Sequence, residues 1–286
     1  MKTSIQILFM VFLLVSCGKN KKQDEQVVQE AEIQQDRIIS LNGSITEILA
    51  ALDYNTQIVG VDVTSSYPES IKNVAKDLGH VNKVSIESIM ELKPTLVLGL
   101  ENEVSEDLKK QLADAGVNVQ LITLKHSIEG SKEMIQEVAK AVKNENYTKL
   151  LTTIDTEIKD VTVLENKPKV LFIYARGAGM LMVAGTGTPI DEMIKLAGGQ
   201  NAITEFSDYK PLTPESLLAN NPDYILLFDT GLQSVGGIDG VLKIDGIAQT
   251  NAGKNKKIIA MDGQLLSGFG PRVGKGVKEL NQLLSK

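Results

Sequence analysis

One stretch of this chain occurs twice, and a duplication restricts the fold to one built from two like units. Residues 85–98 read SIESIMELKPTLVL and residues 213–227 read TPESLLANNPDYILL, so a hydroxyl residue, an acid two positions on and a proline seven after the acid recur in register. In each copy Ser85 or Thr213 is placed to cap a short helix, and Glu87 or Glu215 falls in its first turn. Pro94 or Pro222 then stops the helix before a near-continuous apolar strand, LVL or YILL. A strand that is apolar without alternation is buried on both faces, as in the parallel sheet of an α/β lobe. The copies lie 128 positions apart, from Ser85 to Thr213, which predicts two similar lobes with a ligand cleft between them.

The N-terminus reads MKTSIQILFMVFLLVSC, an apolar run with one Lys ahead of it and the only Cys of the chain at its end. The run is too short to span a bilayer and has the dimensions of the apolar core of a signal peptide. Leu14-Val15-Ser16-Cys17 resembles the bacterial lipobox, which implies that Cys17 is lipidated, that the preceding residues are removed, and that the lipid holds the protein on the outer side of a cytoplasmic membrane or facing a periplasm. Residues 18–36, rich in Gln, Lys and Glu, have little to bury and are expected to form a disordered tether. Loss of residues 1–16 removes one basic residue, Lys2, leaving 29 of the 30 against 36 acidic ones, a balance that disfavours nucleic acid as a partner.

Arg37–Leu41 is expected as a first strand, with Ser44 to Glu47 as a capping box opening the helix that follows. A second strand covers residues 58–63, and the turn-rich segment 65–84 is expected to line the mouth of the cleft, because loops at strand ends carry binding residues in open α/β folds. A helix over residues 103–115 and a strand over 118–123 complete the first lobe. From Ile128 to about Leu164 the apolar positions repeat near a spacing of 3.6 residues, predicting a long helix that links the lobes, with Asn144–Tyr147 as the place where it bends or breaks. The second lobe restarts with the strand Lys169–Tyr174 and a turn through Gly177 and Gly179, followed by a helix starting at Thr188-Pro189 and ending at Gly198. Residues 231–240 read as a Gly-rich loop, residues 257–262 as a last strand, and GVKELNQLLSK as a closing amphipathic helix.

With these residues in place the chain, from about Arg37 to its C-terminus, resembles the substrate-binding lipoproteins of ABC importers in the class that carries haem, cobalamin and ferric siderophores. The haem branch is most similar, on MVAGTGTPIDEMIKLAGGQNA, DYKPLTPESLLANNPDYILL, GLQSVGGIDG and AMDGQLLSGFGPR. The resemblance implies an α/β fold of class III binding proteins: two Rossmann-like lobes, residues 37–126 and 168–286, joined by one long helix within 127–167. It implies capture of haem in the interlobe cleft and delivery to an ABC permease and its ATPase by a monomeric protein, with cobalamin or a ferric siderophore as the alternative cargo. In this class an acid on each lobe meets Arg residues of the permease, so Glu87 and Glu215 are the implied docking pair. Haem-binding members place a Tyr iron ligand in a Gly-Tyr pair shortly before the first acid, and here that position holds Gly79-His80. A neutral imidazole is a competent axial ligand to haem iron, so His80 is the expected metal ligand, and the same departure is compatible with a changed cargo such as a corrinoid. Tyr67, Tyr174 and Tyr209 are alternative oxygen ligands. Lys83, Arg176, Lys210 and Arg272 are candidates to pair with propionates. The other histidine, His126, is expected to cap or pack at the start of the long helix.

Catalysis finds little support. There is no G-x-S-x-G, and with two distant histidines and no cysteine left after Cys17 neither a hydrolytic triad nor a zinc site is expected. No catalytic cofactor is expected; haem enters as cargo.

Overall fold

The computed structural model describes residues 36–286. The expected lipobox, Cys17 and all of the tether but Asp36 lie outside the described residues.

The first lobe runs β1 (Ile38–Ser40), α1 (Gly43–Ala51), β2 (Ile58–Val61), β3 (Lys76–Asp77), α2 (Ile86–Met90), β4 (Leu96–Leu100), α3 (Glu106–Asp114) and β5 (Val119–Ile122). Its five strands are all parallel, in the order β3-β2-β1-β4-β5. Every residue of β4 is buried, as an unalternating apolar strand covered on both faces requires. Next come α4 (Ile128–Ala141) and α5 (Thr148–Lys159). The second lobe contains β6 (Lys169–Ala175), β7 (Leu181–Ala184), α6 (Pro189–Leu196), β8 (Gln200–Asn201), β9 (Tyr209–Pro211), α7 (Pro214–Asn220), β10 (Tyr224–Phe228), α8 (Asp229–Ser234), α9 (Gly237–Leu242), α10 (Asn251–Lys254), β11 (Ile258–Met261), α11 (Gly263–Ser267) and α12 (Val273–Leu284). Its sheet is mixed. Strands β6, β10 and β11 are parallel, whereas β7 runs antiparallel to β6 and β9 antiparallel to β7.

The duplicated stretch occupies the same place in both lobes. Strand β4 lies between β1 and β5, and β10 lies between β6 and β11, so each lobe pairs its first strand with the repeat strand and then with its last. Ser85 accepts the backbone N–H of Ser88 at 3.3 Å and Thr213 that of Ser216 at 3.2 Å, the predicted caps. The chain leaving each helix passes through a left-handed residue immediately before the proline, Lys93 at φ 46° or Asn221 at φ 41°.

Three expectations change. The linking segment is two helices, separated over the Asn144–Tyr147 stretch expected to bend or break: α4 ends at Ala141 with Val142 as its cap, Lys143 turns left-handed at φ 54°, and Tyr54 of the first lobe donates its hydroxyl to the Val142 carbonyl at 2.9 Å. Helix α4 packs on α1 of the first lobe and α5 on α12 of the second, so each lobe keeps one of them. The cap of α1 is Asn42, two residues before the expected Ser44, and it accepts the N–H groups of Ser44 and Ile45. Glu47 is thereby freed from capping and lies buried. The Gly-rich loop at 231–240 is α8 and α9.

One buried apolar cluster runs through both lobes, taking in Ile38 and Leu98 of the first sheet, Met134 and Val138 of α4, Ile154 of α5, Phe172 and Leu226 of the second sheet, and Val277 of α12. The lobes therefore share their interior, which opposes wide hinge motion.

Candidate functional site

A cavity of about 600 Å³ opens between the lobes, within the range of roughly 300–1,000 Å³ usual for small-molecule sites. It lies at the carboxyl ends of the first lobe's strands, where open α/β sheets bind ligands. Four of the five connections leaving these strand ends contribute: Asn42 after β1, Thr64 after β2, Glu103 after β4 and His126 after β5. From the second lobe come Tyr174, Met182, Tyr209 and Phe228. Leu100 and Leu124 extend the apolar wall.

The polar groups on the first-lobe side are held in place. Asn42 caps α1 with its oxygen and donates its amide to Glu103 Oε2 at 3.0 Å. Desolvation pushes the Glu103 carboxyl above its ordinary range, a shift that the Asn42 hydrogen bond only partly opposes. Gly43 permits the close approach beside it, because a Cβ there would meet the Thr64 carbonyl at 2.5 Å. Asp62, buried behind this wall, accepts hydrogen bonds from the Thr64 backbone N–H and hydroxyl and from the Ser65 hydroxyl, which fixes the loop after β2. On the opposite side Phe228 meets the buried Phe172 at 4.8 Å and Tyr174 edge-on at 6.1 Å, so the Tyr174 ring rests on an aromatic that Phe172 holds in turn. Burial, with Tyr174 nearby, pushes the Tyr209 phenol up to about 12.

The lobes are clasped at the base of the cleft. The Ser44 hydroxyl donates to the Gly268 carbonyl at 2.6 Å and accepts from the Gln264 amide at 2.8 Å. Arg272 of the second lobe pairs through two nitrogens with the buried Glu47 carboxylate of the first, and its guanidinium lies 3.8 Å above the centre of the Tyr67 ring. Burial raises the pKa of Glu47 even so, which means that desolvation outweighs the attraction of Arg272.

The expected site residues fall into three groups. Tyr174 and Tyr209 line the cavity, and Arg176, exposed just past the end of β6, stands over the Tyr174 ring at 5.5 Å. Lys210 and Arg272 are engaged elsewhere. Lys210 follows Tyr209 on a strand, so it points to the opposite face, where its ammonium covers Phe206 at 4.6 Å. Arg272 is held by Glu47 and covered by Tyr67, which is itself exposed. His80 and Lys83 are exposed and do not line the cavity. His80 nevertheless emerges beyond β3 at the same carboxyl edge: the Gly79 carbonyl accepts the N–H of Val63, the neighbour of the cavity residue Thr64. Glu87 and Glu215 are exposed in the first turns of α2 and α7, away from the cavity lining. Bonding to its own backbone N–H and to Ser85 holds the Glu87 carboxyl below its ordinary value.

His126 is the residue that sequence reasoning misplaced. It lines the cavity, half-buried, with its ring 5.2 Å from that of Phe269. The available signal was its position directly after β5, at a strand's carboxyl end. No Lys or Arg is among the described residues lining the cavity. No group of three or more His, Cys, Asp or Glu able to hold a bare metal ion occurs among the described residues, and none of their helices is long and apolar enough to cross a membrane.

The sequence profile of the periplasmic binding protein family matches residues 38–265. A curated relative, the uncharacterized ABC transporter substrate-binding lipoprotein YvrC of Bacillus subtilis strain 168, is 30% identical over 302 residues, covering 96% of this chain and 93% of its own. The high-affinity heme uptake system protein IsdE of Staphylococcus aureus strain Newman is 26% identical over 231 residues, 79% of this chain and 76% of that one. Among solved structures, the periplasmic heme-binding protein RhuT from Roseiflexus sp. RS-1, in apo form, superposes with a TM-score of 0.83 and 38% identity over 87% of this chain and 97% of its own. The heme-binding protein BhuT in complex with two hemes gives 0.82 and 32% over the same shares.

Proposed function

The chain belongs to the periplasmic binding protein family, and from that premise we propose that it captures haem in the cleft between its lobes and hands it to an ABC permease. The observation that carries the reading is the cavity itself: an aromatic and thioether wall, Tyr174, Met182, Tyr209 and Phe228, faces the polar first-lobe edge in a chain 38% identical to the heme-binding RhuT. A flat apolar macrocycle buries its faces against such walls.

The lining also gives the ligand an orientation. Glu103 and the absence of Lys or Arg among the described lining residues make the interior unfavourable to carboxylates, whereas the exposed Arg176 stands over the ring of the lining residue Tyr174. Propionates therefore point outward toward Arg176 and the ring edge without charge points inward. His80, on the rim beyond β3, is the expected iron ligand from the solvent side. The protein acts by binding and release, without turnover. Lipidated Cys17 would keep it at the membrane face where the permease lies.

The test is a spectral titration of the purified chain with hemin, with cyanocobalamin and a ferric hydroxamate as competitors. A saturable Soret shift that neither competitor reverses is expected, weakened in His80→Ala. Displacement by a competitor, or no shift from a folded protein, would refute the haem reading.

A further inference from the structure

The rim is one place from which iron can be held, and the cleft contains a second imidazole. His126 is half-buried in the cavity wall, and among the described residues neither of its ring nitrogens has a hydrogen-bond partner. Neither nitrogen is enclosed by protein, so both remain open to a ligand in the cavity that the ring lines. Its ring is steadied from the second lobe by Phe269, tilted at 59° and 5.2 Å away.

The other donor atoms at the cavity are less available. Glu103 already accepts from Asn42. The Tyr209 phenol, raised to about 12, would have to give up a firmly held proton before it could bind iron as phenolate. His126 has no such obstacle: burial lowers its pKa, so its nitrogen lone pair is free at neutral pH and below the ordinary histidine value.

Taking the haem reading as its basis, we propose that His126 is an axial ligand of the bound iron, donating a ring nitrogen from within the cleft while His80 approaches from the rim. The bond is purely coordinative: the imidazole gives a lone pair, displaces water from the iron, and neither proton nor electron is transferred.

The experiment compares the purified wild-type chain, His126→Phe and His80→Ala in hemin titrations read by Soret absorption and by resonance Raman spin-state markers. Phenylalanine retains the aromatic contact with Phe269 and removes only the nitrogens. The expected result is a low-spin imidazole signature in the wild type that His126→Phe loses, with hemin affinity falling about tenfold or more, since even outer-shell changes at metal sites cost about 10–100-fold. Identical spectra and affinity for His126→Phe and wild type would overturn this assignment and leave haem binding standing. A folded wild type that does not bind hemin would overturn both. Should the circular dichroism of His126→Phe show misfolding, His126→Ala with added imidazole decides: recovery of the wild-type spectrum supports ligation, and no recovery overturns it.

Discussion

His126 also carries a pH signature that needs no ligand. Burial holds its pKa below the ordinary 6.5, with only a weak opposing pull from Glu192. The unfolded chain then binds the proton more readily than the folded one. The stability associated with the neutral ring is present above 6.5 and is lost as pH falls through that value toward the folded pKa. His126→Phe removes this dependence. Melting curves between neutral and mildly acidic pH should show the wild type losing stability relative to the variant as pH falls, and parallel curves would show that the ring is not desolvated. Among single residues, legibility was limited by what the local sequence marks. That Tyr209 and Lys210 cannot share a face follows from the period of β9, a strand that sequence reasoning did not assign. That Arg272 is consumed by Glu47, 225 positions away, could not be read from the sequence, because nothing local marks either side chain as spoken for.

At the scale of elements, the turn into α6 shows how one buried acid fixes a wall of the site. Asp191 accepts the Gly187 N–H at 2.9 Å, the Asn201 amide at 3.2 Å and the Lys195 ammonium at 2.8 Å, while Asn201 also reaches the carbonyls of Ala184 and Gly185. This ties the end of β7 to β8 and to the start of α6. Asp191→Ala orphans the Gly187 N–H, whereas Asn201 keeps the Ala184 and Gly185 carbonyls and Lys195 keeps Glu192, and should cost about 1–3 kcal/mol in denaturant unfolding; a loss under about 0.5 kcal/mol would mean that the Gly187 N–H finds another partner. The helix start at Thr188-Pro189 was legible from its cap and proline, and the duplicated helix and strand from their spacing. The break between α4 and α5 was only half legible. Apolar periodicity runs through it, and what ends α4 is a left-handed Lys143 and a hydroxyl from Tyr54, neither of which periodicity registers. The antiparallel β7 and β9 were equally hidden, since strand direction depends on what the hairpin packs against.

For the whole molecule, the equivalence of the two lobes bears on delivery. Each repeat helix leads into the amino end of its strand, so Glu87 and Glu215 sit at the opposite end, toward the edge on which the cleft opens. Both are exposed, and neither takes part in the cavity. Changing both to Lys should abolish haem-dependent growth while leaving the hemin titration unchanged; a loss of hemin affinity would assign them to the site instead. Delivery must also contend with the shared core and the Glu47–Arg272 clasp, which leave the lobes little freedom to part on their own. The joint at Val142–Tyr147 has a further meaning for descent. A genetic crossover placed there between two relatives leaves α4 with the lobe it covers and α5 with α12, so the helix packing that becomes foreign in this region is that of α4 on α5 and on α12. Recombination there can exchange one half while each lobe keeps its own linking helix, and what the new pair must match is the shared core and the Glu47–Arg272 clasp.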